Sequence, residues 1–266
     1  IREVRALVEM GVKEVMLLGQ NVNSYGKTSS GELTFAGLLH RINDVKGLQR
    51  IRFTTSHPQD LSPELVEAYG SLDKLCEHLH LPVQSGSDSV LQRMRRGYSR
   101  REYMEKIRRL RKRCPKVALS TDIIAGFPGE TEEDFEQTLE ILREVEYIEI
   151  FAFTFSPRPQ TVAAKIYPDD VPGEIKKQRL EIVQNLQHDI SLRKNREKIG
   201  SVEEILVEGR SKLRQGQIMG RTRTNRIVNA CGPDSLAGKM VDVRIIGASA
   251  NSLLGELVAV HQRGIA

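Results

Sequence analysis

From Val12 onward the chain repeats one pattern, a short apolar run of strand length followed by a stretch in which apolar residues recur at helical spacing. This alternation constrains the fold more than any other feature, because strands separated by crossover helices pair in parallel. Strands are predicted at Glu14–Leu18, Arg50–Thr55, His78–Val83, Ala118–Ala125 and Glu149–Phe155. Helices are predicted around Phe35–Asn43, Pro63–Leu72, Arg101–Cys114, Glu132–Val145 and Gly173–Ile199. Two helix starts carry capping chemistry, Leu61-Ser62-Pro63-Glu64 and Thr131-Glu132-Glu133-Asp134. Their hydroxyls can accept from the first free N–H groups, Pro63 suits the first turn, and the early acids complement the helix dipole. Five such units in series predict an α/β fold built on a parallel sheet, open or curled into a partial βα barrel.

Ile1, Val4, Leu7 and Val8 also fall at helical spacing, with Gly11 as a stop and no capping residue in front. A helix that begins in mid-turn predicts further residues upstream of Ile1. At the other end the period changes. Ser201–Val260 alternates with period two, punctuated by Gly216, Gly220, Gly232, Gly238, Gly247 and Gly255, which predicts a small all-β unit. Two domains are therefore expected, residues 1–199 and 200–266, with the long helix before the boundary as a strut.

The net charge of +5 is informative only through its distribution. Arg93–Arg113 holds eleven basic residues against Glu102 and Glu105, and Arg210–Arg226 holds six with no acid. The first run reads equally as a solvated helix face or as a surface for an anionic partner; the second is harder to dismiss. No stretch approaches the roughly 18 apolar residues of a membrane span, and no secretory leader opens the chain, so no membrane contact and a cytoplasmic location are expected. Cys76, Cys114 and Cys231 have no short spacing, which argues against a disulfide framework or a local metal motif.

In a parallel βα sheet, ligands bind where the strands end. Here the strand ends are Gly19-Gln20-Asn21-Val22-Asn23, Thr54-Thr55-Ser56-His57-Pro58, Pro82-Val83-Gln84-Ser85-Gly86-Ser87, Gly126-Phe127-Pro128-Gly129-Glu130 and Ser156-Pro157-Arg158-Pro159. Turn chemistry uses the same residues in any single loop. Five rims of uncharged hydrogen-bonding groups together suit a small polar ligand with hydroxyls or an amino-acid end. Asp122 lies inside the apolar Ile123-Ile124-Ala125 run, where a carboxylate is costly unless it is partnered; a ribose diol and an arginine fit it equally. His57 and His80 lack i+3 or i+4 partners and read as packing or hydrogen-bonding residues. No P-loop, GxGxxG or HExxH occurs.

Five motifs, in order and spacing, resemble the radical S-adenosylmethionine methylthiotransferases. They are Gly19-Gln20-Asn21-Val22-Asn23-Ser24-Tyr25-Gly26, Arg52-Phe53-Thr54-Thr55-Ser56-His57-Pro58, His80-Leu81-Pro82-Val83-Gln84-Ser85-Gly86-Ser87, Asp122-Ile123-Ile124-Ala125-Gly126-Phe127-Pro128-Gly129-Glu130-Thr131 and Phe155-Ser156-Pro157-Arg158-Pro159. The likeness covers nearly the full length. The asparagine-rich first motif favours members that add a methylthio group to C2 of N6-isopentenyladenosine 37 of tRNA. Relatives act on a ribosomal protein or on N6-threonylcarbamoyladenosine, and a binding module with a non-catalytic βα scaffold is the other alternative. The tail, through Leu206-Val207-Glu208-Gly209, Gly220-Arg221-Thr222 and Val241-Asp242-Val243, resembles the TRAM domain, an OB-like RNA-binding barrel. Gln160 departs from the family, which usually has Gly after Ser-Pro-Arg-Pro.

The resemblance implies S-adenosylmethionine as cofactor, with its methionyl end near Gly19, Gln20 and Asn21. It implies a ribose at Thr55, Gln84 and Asp122, Arg96 near the methionyl carboxylate or ribose, and an adenine against Phe127 and the backbone around Ser156. It implies two 4Fe-4S clusters in the full-length enzyme, the first bound by a CxxxCxxC expected upstream of Ile1, so this chain alone is expected to be inactive and to hold no metal. It implies the tRNA anticodon stem-loop as partner, with Arg210, Lys212, Arg214, Arg221, Arg223 and Arg226 on its phosphates, and a monomer.

Overall fold

The computed structural model describes residues 1–27, 33–157, 165–211 and 216–261. After helix α1 (Arg2–Glu9), β1 (Glu14–Leu17) is followed by α2 (Phe35–Asn43), β2 (Arg50–Phe53) by α3 (Pro63–Ser71), and β3 (His78–His80) by α4 (Asp88–Arg93) and α5 (Arg100–Arg113). Then come β4 (Ala118–Ala125), α6 (Glu132–Val145), β5 (Glu149–Thr154) and α7 (Gly173–Arg196). β1 pairs with β2, and β3 with β4 and β5, all in parallel. A bridge between Ile51 and Leu75 joins the two groups, giving the α/β partial barrel in chain order. α2, α3 and α6 start at hydroxyl caps, where Thr34, Ser62 and Thr131 accept from Gly37, Leu65 and Asp134 N–H.

Alternation along each strand sorts side chains to two faces. On β4, Leu119, Ile123 and Ala125 point to the helix layer and join its core. Ser120, Asp122 and Ile124 point the other way, into the lumen, as do His78 and His80 of β3 and Arg50 and Arg52 of β2. β3 ends at His80 and not at the predicted Val83, because Pro82 has no N–H to donate and Gln84 turns the chain at φ 72°.

Five further strands, β6 (Val202–Arg210), β7 (Gln217–Thr222), β8 (Ile227–Cys231), β9 (Met240–Ala248) and β10 (Leu253–Val260), form a closed barrel in the order β10-β8-β7-β6-β9. Its core, including Ile205, Val207, Ile218, Val243 and Leu253, is separate from that of the βα part. α7 spans both parts with a polar stripe. Gln187 donates to Tyr147 O at 2.8 Å and Ser191 to Ile148 O at 3.1 Å, while Asn195 donates to Ser249 O at 2.9 Å.

The small barrel docks at the base of the βα lumen, where the strands begin. Arg50 and Arg52 are buried there and donate to backbone carbonyls of the β7–β8 hairpin and β6. Arg50 reaches Arg221 O at 2.8 Å and Glu204 O at 2.9 Å; Arg52 reaches Thr222 O at 2.7 Å and Arg223 O at 3.1 Å. This docking corrects the expectation that Arg223 and Arg226 face a nucleic acid. Arg223 turns back to Glu77, 2.8 Å away, and to Leu75 O at 2.7 Å. Arg226 donates to Asn195 Oδ1 at 3.0 Å and Thr224 Oγ1 at 2.8 Å. The hairpin must present its carbonyls to the β2 arginines, and its own arginines therefore close over the same junction. Among the described residues no helix is long and apolar enough to cross a membrane.

Candidate active site at the strand-end mouth

At the opposite end of the lumen the strand ends assemble a polar rim. Two of its residues hold left-handed backbone, Thr55 at φ 60° and Gln84 at φ 72°. Such conformations cost a β-branched or long side chain energy and collect at ligand sites. Thr55 is fixed from both sides. Its hydroxyl donates to Gly19 O, and its carbonyl accepts from Val22 N–H at 3.1 Å, so the β1 and β2 loops form one unit. Gln84 is held by its backbone, with its N–H on Asp122 O and its carbonyl accepting from Ile124 N–H, both at 3.0 Å. The amide Nε2 of Gln84 then lies 3.5 Å from Asp122 Oδ2.

Asp122 is the centre of this rim. Its side chain is 30% exposed, and its other oxygen lies 3.3 Å from His80 Nε2. The carboxylate thus keeps an open face with one neighbour on each oxygen, the disposition needed to accept two hydroxyls of a diol. Sequence reasoning assigns His80 no site role. Its Nδ1 is 3.0 Å from Ser120 Oγ, which also meets His78 Nε2 at 3.1 Å, and its ring stands edge-on to Phe151 at 5.8 Å. The available signal is the His78-Leu79-His80 alternation, which puts both imidazoles on the face of Asp122 once His80 pairs in register with Ser120.

Gly19 and Gln20 are exposed on the β1 loop beside Thr55. Asn21 gives its amide N–H to Asp60, while its Oδ1 is buried with no partner among the described residues; so is Ser56 Oγ on the adjoining loop. Arg96 donates to Tyr98 OH at 3.2 Å, and Tyr98 OH in turn donates to Pro82 O and Val83 O. Ser156 is exposed. Phe127 is displaced from its expected role: its ring is buried, 5.0 Å from Phe155 and 6.1 Å from Tyr167, so no open face is left for an adenine. Arg158, Pro159 and Gln160 lie outside the described residues, as do Lys212 and Arg214.

His57 supports the rim from behind. Its Nδ1 accepts from Gln59 N–H, its carbonyl accepts from Asn23, and burial with the Arg96 charge lowers its pKa. Asp60 is held below the usual carboxylate range by hydrogen bonds from Lys27 and Asn21, which outweigh its desolvation. The three cysteines do not converge. Cys76 and Cys114 are buried, Cys231 is exposed on the small barrel, and the described residues contain no group of three metal-ligating side chains.

A sequence profile of the Radical SAM superfamily matches residues 1–142, more than half of the chain. The chain belongs to the radical SAM superfamily. A second profile, the TRAM domain, matches residues 196–258 of this radical SAM chain. It is 55% identical to the tRNA-2-methylthio-N(6)-dimethylallyladenosine synthase of Geobacter metallireducens, over 98% of this chain and 59% of that protein. It is 51% identical to the protein of the same name from Syntrophotalea carbinolica, over 97% of this chain and 59% of that one. The chain thus spans about 59% of the length of these relatives. Among solved structures, coproporphyrinogen III oxidase from Escherichia coli, described as a radical SAM enzyme, aligns with a TM-score of 0.56 over 97% of this chain and 63% of its own. At 13% identity that is a likeness of fold.

Proposed function

We propose that this chain is the core and RNA-binding part of a tRNA methylthiotransferase that acts on C2 of N6-isopentenyladenosine 37 in the anticodon loop. The observation that carries the reading is the identity above 50%, over nearly the whole chain, to two proteins of that name. The rim supports it independently, because a half-open carboxylate flanked by an amide and strained loops suits a nucleoside with a free diol. S-adenosylmethionine supplies the radical initiator and the methyl group when bound there.

This chain's own residues bind and orient. Asp122 accepts the ribose hydroxyls, and Gln84 and His80 hold the carboxylate in place. Thr55 fixes the Gly19–Asn21 loop, whose Asn21 Oδ1, like Ser56 Oγ without a partner among the described residues, is an acceptor suited to an ammonium or hydroxyl donor. The cysteines of this chain do not fit an iron–sulfur cluster, which needs converging thiolates. Arg210, exposed and paired with Asp234, and Arg221, half-buried and paired with Glu208, are taken as phosphate contacts. We take residues 1–199 and 200–266 as the two domains, a monomer as the working state and the cytoplasm as the location.

The test is made on the complete protein as its gene encodes it, reconstituted anaerobically with iron and sulfide and given S-adenosylmethionine, a reductant and isopentenylated tRNA. Nucleoside mass spectrometry should find the methylthio group at that adenosine, and Asp122→Ala should abolish it. Unmodified tRNA, or modification of threonylcarbamoyladenosine or a ribosomal protein in its place, would overturn the reading.

A further inference from the structure

Helix α5 carries most of the larger basic run, and its charges are disposed differently from those of the β7–β8 hairpin. On one side Arg100 and Arg108 pair with Glu140 and Glu144 of α6. On the other side α5 and α3 enclose a groove of about 640 Å³ lined by Lys106, Arg109, Lys112 and Arg113. Glu67 is the acid on that lining, and it is bound to Arg113 at 2.8 Å. Asp60, near the upper end, is already engaged by Lys27 and Asn21. Arg109 and Lys112 are exposed and have no ion-pair partner among the described residues. Lys106 gives its ammonium hydrogens to carbonyls, Pro58 O at 2.6 Å and Gln59 O at 3.2 Å, so its charge is not neutralised by an acid. A groove with this surplus of positive charge attracts a polyanion.

Its course matters as much as its charge. α5 starts at the mouth, where Tyr98 donates to Pro82 O and Val83 O, just beyond the end of β3. It ends at the base, where Arg111 reaches Val145 O ahead of β5. Its 14 residues cover about 21 Å. The TRAM barrel docks at the base and the diol-binding rim lies at the mouth, so an RNA gripped by one and served to the other has to run along a wall of this height.

We propose that the α3–α5 groove is an RNA-backbone track in which Arg109 and Lys112 contact phosphates and Lys106 adds charge beneath them. The proposal rests on the reading of the substrate as RNA. Arg109 and Lys112 stand three apart on the helix and so share one face. Removing both phosphate-binding cations should weaken binding about tenfold or more and flatten the salt dependence by about two units of log affinity against log salt.

The experiment measures binding of a fluorescently labelled isopentenylated tRNA anticodon stem-loop across a salt series, with thermal midpoints as a folding check. The variant R109E/K112E is compared with the neutral R109Q/K112Q and with K46E/R101E, an equal charge change at exposed positions outside the groove. The expected result is a loss of at least about tenfold for R109E/K112E, a smaller loss for the neutral pair, and less than about threefold for K46E/R101E. If the groove variants lose no more than the control, the track is overturned while the reading of the substrate stands. If the unaltered protein itself fails to bind the stem-loop, both fall together.

Discussion

Replacing Arg52 by Met should uncouple the two parts of the molecule. The guanidinium is 3% exposed, donates to Thr222 O at 2.7 Å and Arg223 O at 3.1 Å, and brings Nε within 2.9 Å of Glu14 Oε2. That last approach is poorly aligned, so it is a Coulombic contact and not a good hydrogen bond. Methionine fills much of the volume but leaves two carbonyls and a carboxylate without their donor. Breaking a buried pair costs roughly 3–5 kcal/mol, and each stranded carbonyl about 1 kcal/mol or more. Glu14 is 18% exposed and keeps Arg50 at 3.8 Å, which places its share at the low end, about 3 kcal/mol, for a total of about 5 kcal/mol with the two carbonyls. That is a large fraction of the roughly 5–15 kcal/mol that holds a domain folded. All six tyrosines precede residue 200 and the chain has no tryptophan, so intrinsic fluorescence follows the βα part while far-ultraviolet dichroism includes the small barrel. In urea the two probes should coincide for the unaltered protein and separate for R52M. Adding Glu14→Gln should recover about 1–2 kcal/mol by removing the stranded charge. A single variant within about 1 kcal/mol of the parent, or a double variant no better than R52M, refutes the reasoning.

His78 supplies a pH dependence. Burial, with the Arg52 charge, lowers its pKa from 6.5 to about 3. Above the unfolded value it is neutral in both states; below it, only the unfolded chain takes the proton until the folded value is reached. Stability should therefore fall as pH drops through that window, by about 1.4 kcal/mol per unit, or about 2 kcal/mol at pH 5. His78→Gln should flatten urea midpoints measured between pH 5 and 7, and an unchanged slope would show that the dependence lies elsewhere. Gln84→Gly should relieve the φ of 72° and gain about 1 kcal/mol, raising the melting midpoint by about 3 °C, while weakening S-adenosylmethionine binding. A variant both less stable and equally avid would remove the strained-rim argument.

The parts of the fold legible in the sequence are those fixed locally. α2 and α6 begin and end where periodicity and, for α6, the Thr131 cap put them, and β4 spans its whole predicted apolar run. α4 is not predicted; its six residues are too few for periodicity, although the Ser87 cap is present. The docking of the small barrel is not legible, because it depends on arginines of β2 meeting carbonyls some 170 positions away. An arginine in a four-residue strand reads as a solvated edge until its partner is in place. The same long-range pairing draws Arg223 and Arg226 inward. At the rim, Asp122 stands out because a carboxylate among isoleucines is conspicuous, whereas His80 gains meaning only from the register of β3 on β4. Phe127 fails as an adenine contact because Phe155 and Tyr167 cover it.

On the proposed function, Asp122 grips the diol of a nucleoside sulfonium at the strand-end mouth. A double-mutant cycle tests it most directly, with Asp122→Asn on the protein and removal of the ribose 2′-hydroxyl on S-adenosylmethionine, and with affinities taken by titration calorimetry. A charge-assisted hydrogen bond between the two predicts a loss of about tenfold for each change alone and no further loss when both are made. Losses that simply add would mean that Asp122 and the hydroxyl do not meet, and the site would have to be sought elsewhere in the barrel.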